Sequence, residues 1–466
     1  MVLPETFRSS MKALLGDDYD AFISSYDDRP KSALRINTSK ITVEEFDKIA
    51  PFETKIIPYA ENGRYINDTD AWTKHPYYYA GLYYVQEPSA MLPACTLDID
   101  RDDTVLDLCA SPGGKSTAIA LKHPKVLLSN DISPSRAIPL VYNMEHTGTY
   151  HHAVTAEDPK KLERYFADSF DRIIVDAPCS GEGMFRKDSA LIKAYIDKGP
   201  AYYSPLQRSI LESAYNMLKP GGEMLYSTCT FSDIEDEQVV LDLLGDHNDL
   251  SLLDIEKKNG LSGVYDKYRD DKKINGCVHA FPNLFKGEGH FMALLKKSGV
   301  VSHQHIVRQN IEKLTAFADL PESVRQFTDN LSSRFTDIMK NCGYILRAGA
   351  VYMLSESVAD LVYSDIRYMR TGLWLGNVNK AGKFTPATSL ALALDMSDHN
   401  NVLDLKADDP DVIKYLKGET LIANDRTAKC AAKGNVLICV DGHTLGFASF
   451  DGCRFKNLYE RSWTYG

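Results

Sequence analysis

Two cysteines stand where a thiol can act rather than pack. Cys179 sits in DAPCSGEG (176–183), directly after the apolar run Ile173–Asp176, and Cys229 sits in STCTF (227–231), after the run Gly222–Tyr226. Cysteine ordinarily fills space as a small buried hydrophobe, and that reading holds for most of the nine in this chain. Two at strand ends, one in a Pro-Cys turn three residues from Asp176, favour nucleophilic chemistry instead, which requires a thiolate. A third loop, DLCASPGGK (Asp107–Lys115), also follows a strand. Gly113 and Gly114 let backbone approach a ligand closely, and amides opening a helix can hold a carboxylate. It is neither GxGxxG nor a P-loop. Asn130-Asp131 ends the next strand, where an acid can accept from ribose hydroxyls or simply cap a helix. Asp158, before Pro159, either meets an adenine amino group in the same pocket or is a turn and cap residue.

These residues need a scaffold that brings strand ends together. TVLDLCA (104–110), KVLLSNDI (125–132), DRIIVDAPC (171–179) and GGEMLYSTCT (221–230) read as buried strands, and HFMALLKK (290–297) as the last one. Helical patterns alternate with them: one beginning near Ser116, SRAIPLVYNMEHTG (135–148) and DEQVVLDLLGDH (236–247). That alternation predicts a parallel, doubly wound sheet, whose ligands sit at the carboxyl ends of the strands. Upstream, the first 22 residues have an amphipathic helical look, SALRINTSK alternates like a strand, and a helix starts after Pro88. Ser298–Gln309 reads as a linker. Residues 391–466 carry short strands punctuated by Gly442, Gly446 and Gly452, a small β-rich domain. The expected division is 1–75, 76–300, 301–390 and 391–466.

At 466 residues, with 44% hydrophobic and 25% charged side chains, the chain has the composition of a soluble protein of several domains. No apolar stretch is long enough to span a membrane and no signal peptide opens it, so a cytoplasmic location is expected. The cysteines form no CxxC pair, which argues against zinc, and no metal is expected. A net charge of −11 argues weakly against nucleic acid, because binding needs only a local basic face. Such clusters exist at Lys160, Lys161 and Arg164, at Arg186 and Lys187, at Lys272 and Lys273, and at Lys296 and Lys297; the first three are candidates for a phosphate path.

DLCASPGGK, ND, DAPCSGEG and STCTF, in that order, resemble the Nop/Sun family of RNA cytosine-5 methyltransferases over roughly residues 30–297. RKD after GEGMF, FKGEGHF and the C-terminal extension are more like its bacterial RsmF branch. The resemblance implies an α/β fold: a Rossmann-like class I methyltransferase core with an N-terminal α+β RNA-binding appendage and C-terminal RsmF-type and PUA-like β-rich domains. It implies S-adenosylmethionine as cofactor, held by Cys109, Ala110, Ser111, Pro112, Gly113, Gly114, Lys115, Asp131, Asp158 and Asp176. It implies methylation of carbon 5 of cytosine in 16S ribosomal RNA near the decoding site, on the RNA or the 30S subunit, by a protein expected to be monomeric. Cys229 would be the nucleophile, Cys179 the release cysteine, and Asp176 the residue that positions the base and offsets charge. Chemistry alone establishes less: one thiol attacks carbon 6 and a second has a use in removing the carbon-5 proton. DNA cytosine methyltransferases place their nucleophile in a Pro-Cys motif, an alternative role for Cys179 that TCTF argues against. Lys115 is a candidate for orienting Asp176 or the substrate, or is structural. Asp236 stands where an Asn is common. Rival readings are the same chemistry on transfer RNA or 23S ribosomal RNA, a non-catalytic rRNA-binding assembly factor, and a small-molecule or protein methyltransferase.

Overall fold

The computed structural model describes residues 2–67, 71–299, 312–424 and 431–465. Its central sheet holds β1 (Thr104–Asp107), β2 (Val126–Asn130), β3 (His152–Thr155), β4 (Phe170–Asp176), β5 (Leu218–Thr228), β6 (Val278–Ala280) and β7 (His290–Lys297), in spatial order 3-2-1-4-5-7-6. The first five pair in parallel, and β7 runs antiparallel to both β5 and β6. Six helices belong to this unit: α1 (Gly114–Ala120), α2 (Pro134–His146), α3 (Pro159–Phe166), α4 (Ala190–Asp197), α5 (Gly199–Met217) and α6 (Glu237–Asp246).

The pleat explains why these strands are apolar nearly throughout: both faces are covered. Val105, Leu127, Ile174 and Leu225 join Ile119, Leu140 and Met144 from α1 and α2 in one cluster. Their neighbours Leu106, Leu128, Ile173 and Met224 join Leu162, Leu211 and Val240 from α3, α5 and α6 in another. Strand order reverses between β1 and β4. The loops leaving these two strands therefore diverge to opposite faces, and the crevice between them is the ligand position of a doubly wound sheet.

An antiparallel sheet of Thr54–Ile57, Ala60–Ile66, Ser32–Ile36 and Tyr83–Val85 precedes the core, with the helix Glu5–Leu15 ahead of it. Phe7, Met11, Phe22 and Tyr26 pack against Phe185, Phe231 and Phe281. The N-terminal segment thus braces the chain just beyond both expected active-site cysteines. After the core, Gly343–Arg347, Ala350–Leu354, Leu373–Val378 and Phe384–Pro386 form one small sheet, and strands between Val402 and Asn457 form a five-stranded one whose Leu403, Leu405 and Val436 share a cluster with Leu34 and Ile36 of the N-terminal sheet.

The region after 312 does more than follow the core. Tyr368–Thr371 pairs antiparallel with β3 and becomes the edge of the central sheet. Ile345, Leu354, Val358, Val362 and Ile366 share the cluster that contains Leu106 and Leu128. The expected linker at 298–309 lies, from Val300 on, outside the described residues, as does Cys430. Among the described residues no helix is long and apolar enough to cross a membrane. α1 starts at Gly114 and not near Ser116, because Gly113, at φ 114°, turns the chain straight into the helix.

Candidate active site

The loop after β1 is shaped from behind. Asp107, fully buried, accepts from Ser116 Oγ at 2.6 Å, and burial raises its carboxyl to about 7. Ala110 N donates to Asn130 O at 2.7 Å. Asn130 in turn donates from Nδ2 to Leu108 O (3.2 Å) and Glu157 O (3.0 Å), while its Oδ1 accepts from Thr155 Oγ1 at 2.8 Å. One asparagine side chain therefore spaces the ends of β1, β2 and β3. Asp131 is nearly buried, accepts from Ser133 N at 2.9 Å and pairs with Arg136 at 3.2 Å. Asp158 caps α3, accepting from Lys160 N at 2.8 Å. The cap reading of Asp158 thus holds in full, and the same side chain also faces the cavity described next.

A cavity of about 580 Å³ opens over the crevice, within the usual range of roughly 300–1,000 Å³ for a small-molecule site. Cys109, Ser111, Asp131, Asp158, Asp176, Cys179 and Cys229 all line it. Seven sequence-predicted residues from the ends of five separate strands thus share one space. Ala110, Pro112, Gly113, Gly114 and Lys115 are not in its wall; they build the turn behind it. The cavity suits a nucleoside with a charged amino-acid tail. Its acids lie at the ends of β2 and β3, where ribose and base edges can be read, and the exposed Ile132 side chain offers an apolar face.

Asp176 ends β4 and is held on two sides. Lys115 Nζ lies 2.7 Å from Oδ2, and Ser227 Oγ donates to Oδ1 at 2.9 Å. His290 Nε2, at 3.6 Å from Oδ1, is close but beyond hydrogen-bond range. Burial pushes the Asp176 carboxyl up, but Lys115 and His290 more than offset this and hold it below the usual carboxylate range. Ionised, Asp176 can only accept hydrogen bonds.

Cys179 Sγ and Cys229 Sγ stand 3.3 Å apart. Its hydrogen bond to Cys229, and then burial, raise the Cys179 thiol well above its ordinary value. Lys115 is close enough to Cys229 to interact with it electrostatically, which puts one ammonium beside both Asp176 and a thiol.

Several residues of this site gave little sign in the sequence. Ile132, Arg136, Leu191, Tyr203, Leu206 and Ser209 also line the cavity. Of these only Ile132, next to Asp131, was within reach of a motif argument. Ser227 and His290 touch or approach Asp176 from β5 and β7, a meeting that only sheet order reveals.

Not every expected basic group is free. Arg186 is buried, pairs with Glu288 through Nε (2.9 Å) and Nη2 (3.0 Å), and donates to the carbonyls of Ser25 and Gly287. It is therefore a structural ion pair and not part of a phosphate path. Lys161 is tied to Glu157 at 2.6 Å, and Lys297 is buried against Asp168 and the carbonyl of Leu218. Lys160, Lys272 and Lys273 are exposed. Among the described residues, Asp236, Glu237 and His279 form a buried group with metal-ligand side-chain types. It is enclosed away from the cavity, with His279 Nε2 2.9 Å from Glu237, and burial, then the neighbouring Glu237, push the Asp236 carboxyl well above the usual carboxylate range.

The sheet order, the glycine turn after β1 and the acid closing β2 define an S-adenosylmethionine-dependent methyltransferase of Rossmann-like class I. Comparison with known proteins narrows this. Residues 94–296 match the family model for 16S rRNA methyltransferase RsmB/F, and residues 3–88 the N-terminal domain of RsmF. Residues 326–394 match the first C-terminal domain of RsmF, and residues 402–465 its PUA domain. A ribosomal RNA small subunit methyltransferase F from Shewanella sp. (strain MR-7) is 30% identical, covering 95% of this chain and 92% of that one. The protein of the same name from Vibrio vulnificus (strain YJ016) is 28% identical, over 98% and 96%. The chain belongs to the RsmB/RsmF family. A methyltransferase homologue from Pyrococcus horikoshii superposes with a TM-score of 0.54 at 25% identity, over 63% of this chain and 95% of that one. NSun6 from the same organism, solved with SFG, gives 0.53 at 19%, over 64% and 99%, which supports the fold.

Proposed function

We propose that the chain methylates carbon 5 of cytosine in 16S ribosomal RNA near the decoding site, through a covalent bond from Cys229 to carbon 6. The observation that carries this reading is the pair of thiols 3.3 Å apart on the cavity wall, beside an ionised aspartate. Carbons 5 and 6 are bonded neighbours, so two sulfurs that serve them must themselves be neighbours.

The Cys229 thiolate adds to carbon 6, and the electrons of the 5,6 double bond make carbon 5 nucleophilic. S-adenosylmethionine, when bound, supplies an electrophilic methyl group to that carbon. Loss of the carbon-5 proton then re-forms the double bond and expels Cys229. Cys179 is the group beside carbon 5: its thiolate, formed by giving its own proton to solvent, takes the carbon-5 proton as the Cys229 thiolate leaves carbon 6. Asp176, as an acceptor, matches the cytosine 4-amino group. The task of offsetting negative charge on the ring, expected of Asp176, falls to the Lys115 ammonium, because a carboxylate cannot do it. The target base must leave any stack to enter the cavity. Exposed Lys160, Lys272 and Lys273, with the N-terminal appendage (1–75) and the PUA-like segment (391–466), are the groups that would hold the RNA.

Mapping 5-methylcytosine in ribosomal RNA from cells with and without this protein tests the reading, alongside methyl transfer to purified 30S subunits, free ribosomal RNA and transfer RNA. Loss of a 16S position in the deletion strain is expected. Methylation of transfer RNA alone would overturn the substrate assignment.

A further inference from the structure

The acidic run SDIEDE, which follows the TCTF motif, turns inward. Glu235 is fully buried although no lysine or arginine pairs with it among the described residues. Its two oxygens gather donors from three separate parts of the chain. Oε2 accepts from the backbone N of Ser180 and from Gln207 Nε2 on α5, each at 2.9 Å. Oε1 accepts from Ser180 Oγ and from Thr230 Oγ1, the latter at 3.4 Å. The two hydroxyl oxygens also lie 2.8 Å apart, so either one can turn its single proton to the other instead of to Glu235. Gln207 Nε2 reaches on to Pro178 O at 3.0 Å. The residues on both sides of Cys179, and the one after Cys229, therefore hang from a single carboxylate.

We propose that Glu235 is a positioning residue that sets the distance between the two thiols, with Gln207 as its second arm. The inference rests on the reading of Cys179 and Cys229 as the reacting pair. Alternative ties are not equivalent. Gly183 N donates to Cys229 O at 2.9 Å, and Thr228 Oγ1 donates to Asp236 Oδ1 at 2.6 Å, but neither touches Cys179 or its neighbours. Other side-chain ties join the two loops, Glu182 Oε2 accepting from Phe231 N at 3.0 Å and the Ser180 and Thr230 hydroxyls standing 2.8 Å apart, but among the described residues Glu235 is where bonds to both neighbours of Cys179 and to the residue after Cys229 converge. A carboxylate suits this place because its two oxygens can accept from the Ser180 amide, the Gln207 amide and the two hydroxyls, bonds that work against the upward push of burial on its carboxyl. Glutamine fits nearly as well. Its oxygen can take the rigid donors, Ser180 N and Gln207, while its amide donates to the two hydroxyls, which can turn and accept. Alanine leaves the Ser180 amide and the Gln207 amide without their partner and frees the two loops from each other.

The experiment uses the full-length protein and dibromobimane, a bifunctional reagent that fluoresces on bridging two nearby thiols. Cys179→Ala sets the background. Glu235→Gln is expected to bridge and to transfer methyl like the parent. Glu235→Ala is expected to lose bridging and to slow single-turnover methyl transfer on the order of a hundredfold, while its S-adenosylmethionine affinity stays within about twofold, since no cofactor contact is touched. Should Glu235→Ala fail to fold, Gln207→Met, which cuts the arm to Pro178, is expected to lower the bridging rate severalfold. Bridging and turnover at parental rates in folded Glu235→Ala, or parental bridging in Gln207→Met beside an unfolded Glu235→Ala, would overturn the proposal. Bridging needs no RNA, so a parent that methylates no RNA would remove the catalytic reading while still deciding what Glu235 does.

Discussion

Lys115 concentrates the electrostatics of the site, because one ammonium serves Asp176 at 2.7 Å and lies near Cys229. Lys115→Met is expected to lower turnover by about a hundredfold, the usual cost of losing a charge-stabilising donor. It should also shift the pH profile. Asp176 is depressed because Lys115 and His290 together outweigh burial; without Lys115, burial acts on the carboxyl with His290 and the Ser227 hydroxyl against it, so it titrates higher and the acid limb of activity moves up in pH. The linked stability has a definite sign. A carboxylate depressed on folding stabilises above its unfolded value of about 3.9, and that contribution is lost as pH falls through the folded value. Unfolding midpoints of parent and Lys115→Met should therefore converge at strongly acid pH and separate near neutrality. An unmoved acid limb would contradict this. At this scale the sequence was informative about Cys179, Cys229, Asp131 and Asp176, because each ends a recognisable apolar run. It was silent on Ser227 and His290 as partners of Asp176, since residues 51 and 114 positions further on in the chain meet it only once β5 and β7 are in the sheet.

Elements hold the two cysteine loops by close backbone contact as well as by hydrogen bonds. A Cβ on Gly183 would lie 2.6 Å from Gly289 Cα and 3.0 Å from Cys229 O. Both neighbours are backbone and cannot swing aside. Gly183→Ala is expected to cost about 1–3 kcal/mol and to displace Cys229, so thermal unfolding and methyl transfer should fall together. A variant with parental stability and activity would show that the loop yields. The strands and helices around the crevice followed from apolar runs and their spacing, and β1, β2, β4, β5 and β7 appear where those runs lie. The start of α1 was missed by two residues because the turn depends on the φ of Gly113, which sequence does not record. Arg186 read as a surface cation because its partner Glu288 is 102 positions away.

On the scale of the whole molecule, the methyltransferase sheet is finished by chain from beyond its own sequence region. Tyr368–Thr371 covers the edge of β3, and side chains from 345 to 366 complete the core on one face. A chain ending at residue 299 should thus expose an unpaired strand edge and an apolar face, both aggregation hazards. Its expected fate is the insoluble fraction; a soluble monomer with the parental unfolding midpoint would contradict the shared core. Sequence reading treated 301–390 as a following domain. Nothing in a short strand such as Tyr368–Thr371 announces which sheet it will join, because pairing partners far apart in sequence leave no local mark.

The chemical core of the proposal is the division of labour between two sulfurs, and a covalent trap reads it directly. RNA carrying the target cytosine is incubated with S-adenosylmethionine and Cys179→Ala or Cys229→Ala protein, then resolved on a denaturing gel. Cys179→Ala should accumulate a protein–RNA adduct, because attack proceeds and release fails, and Cys229→Ala should form none. An adduct with Cys229→Ala and none with Cys179→Ala would reverse the two roles, and no adduct with either would contradict covalent catalysis by this pair.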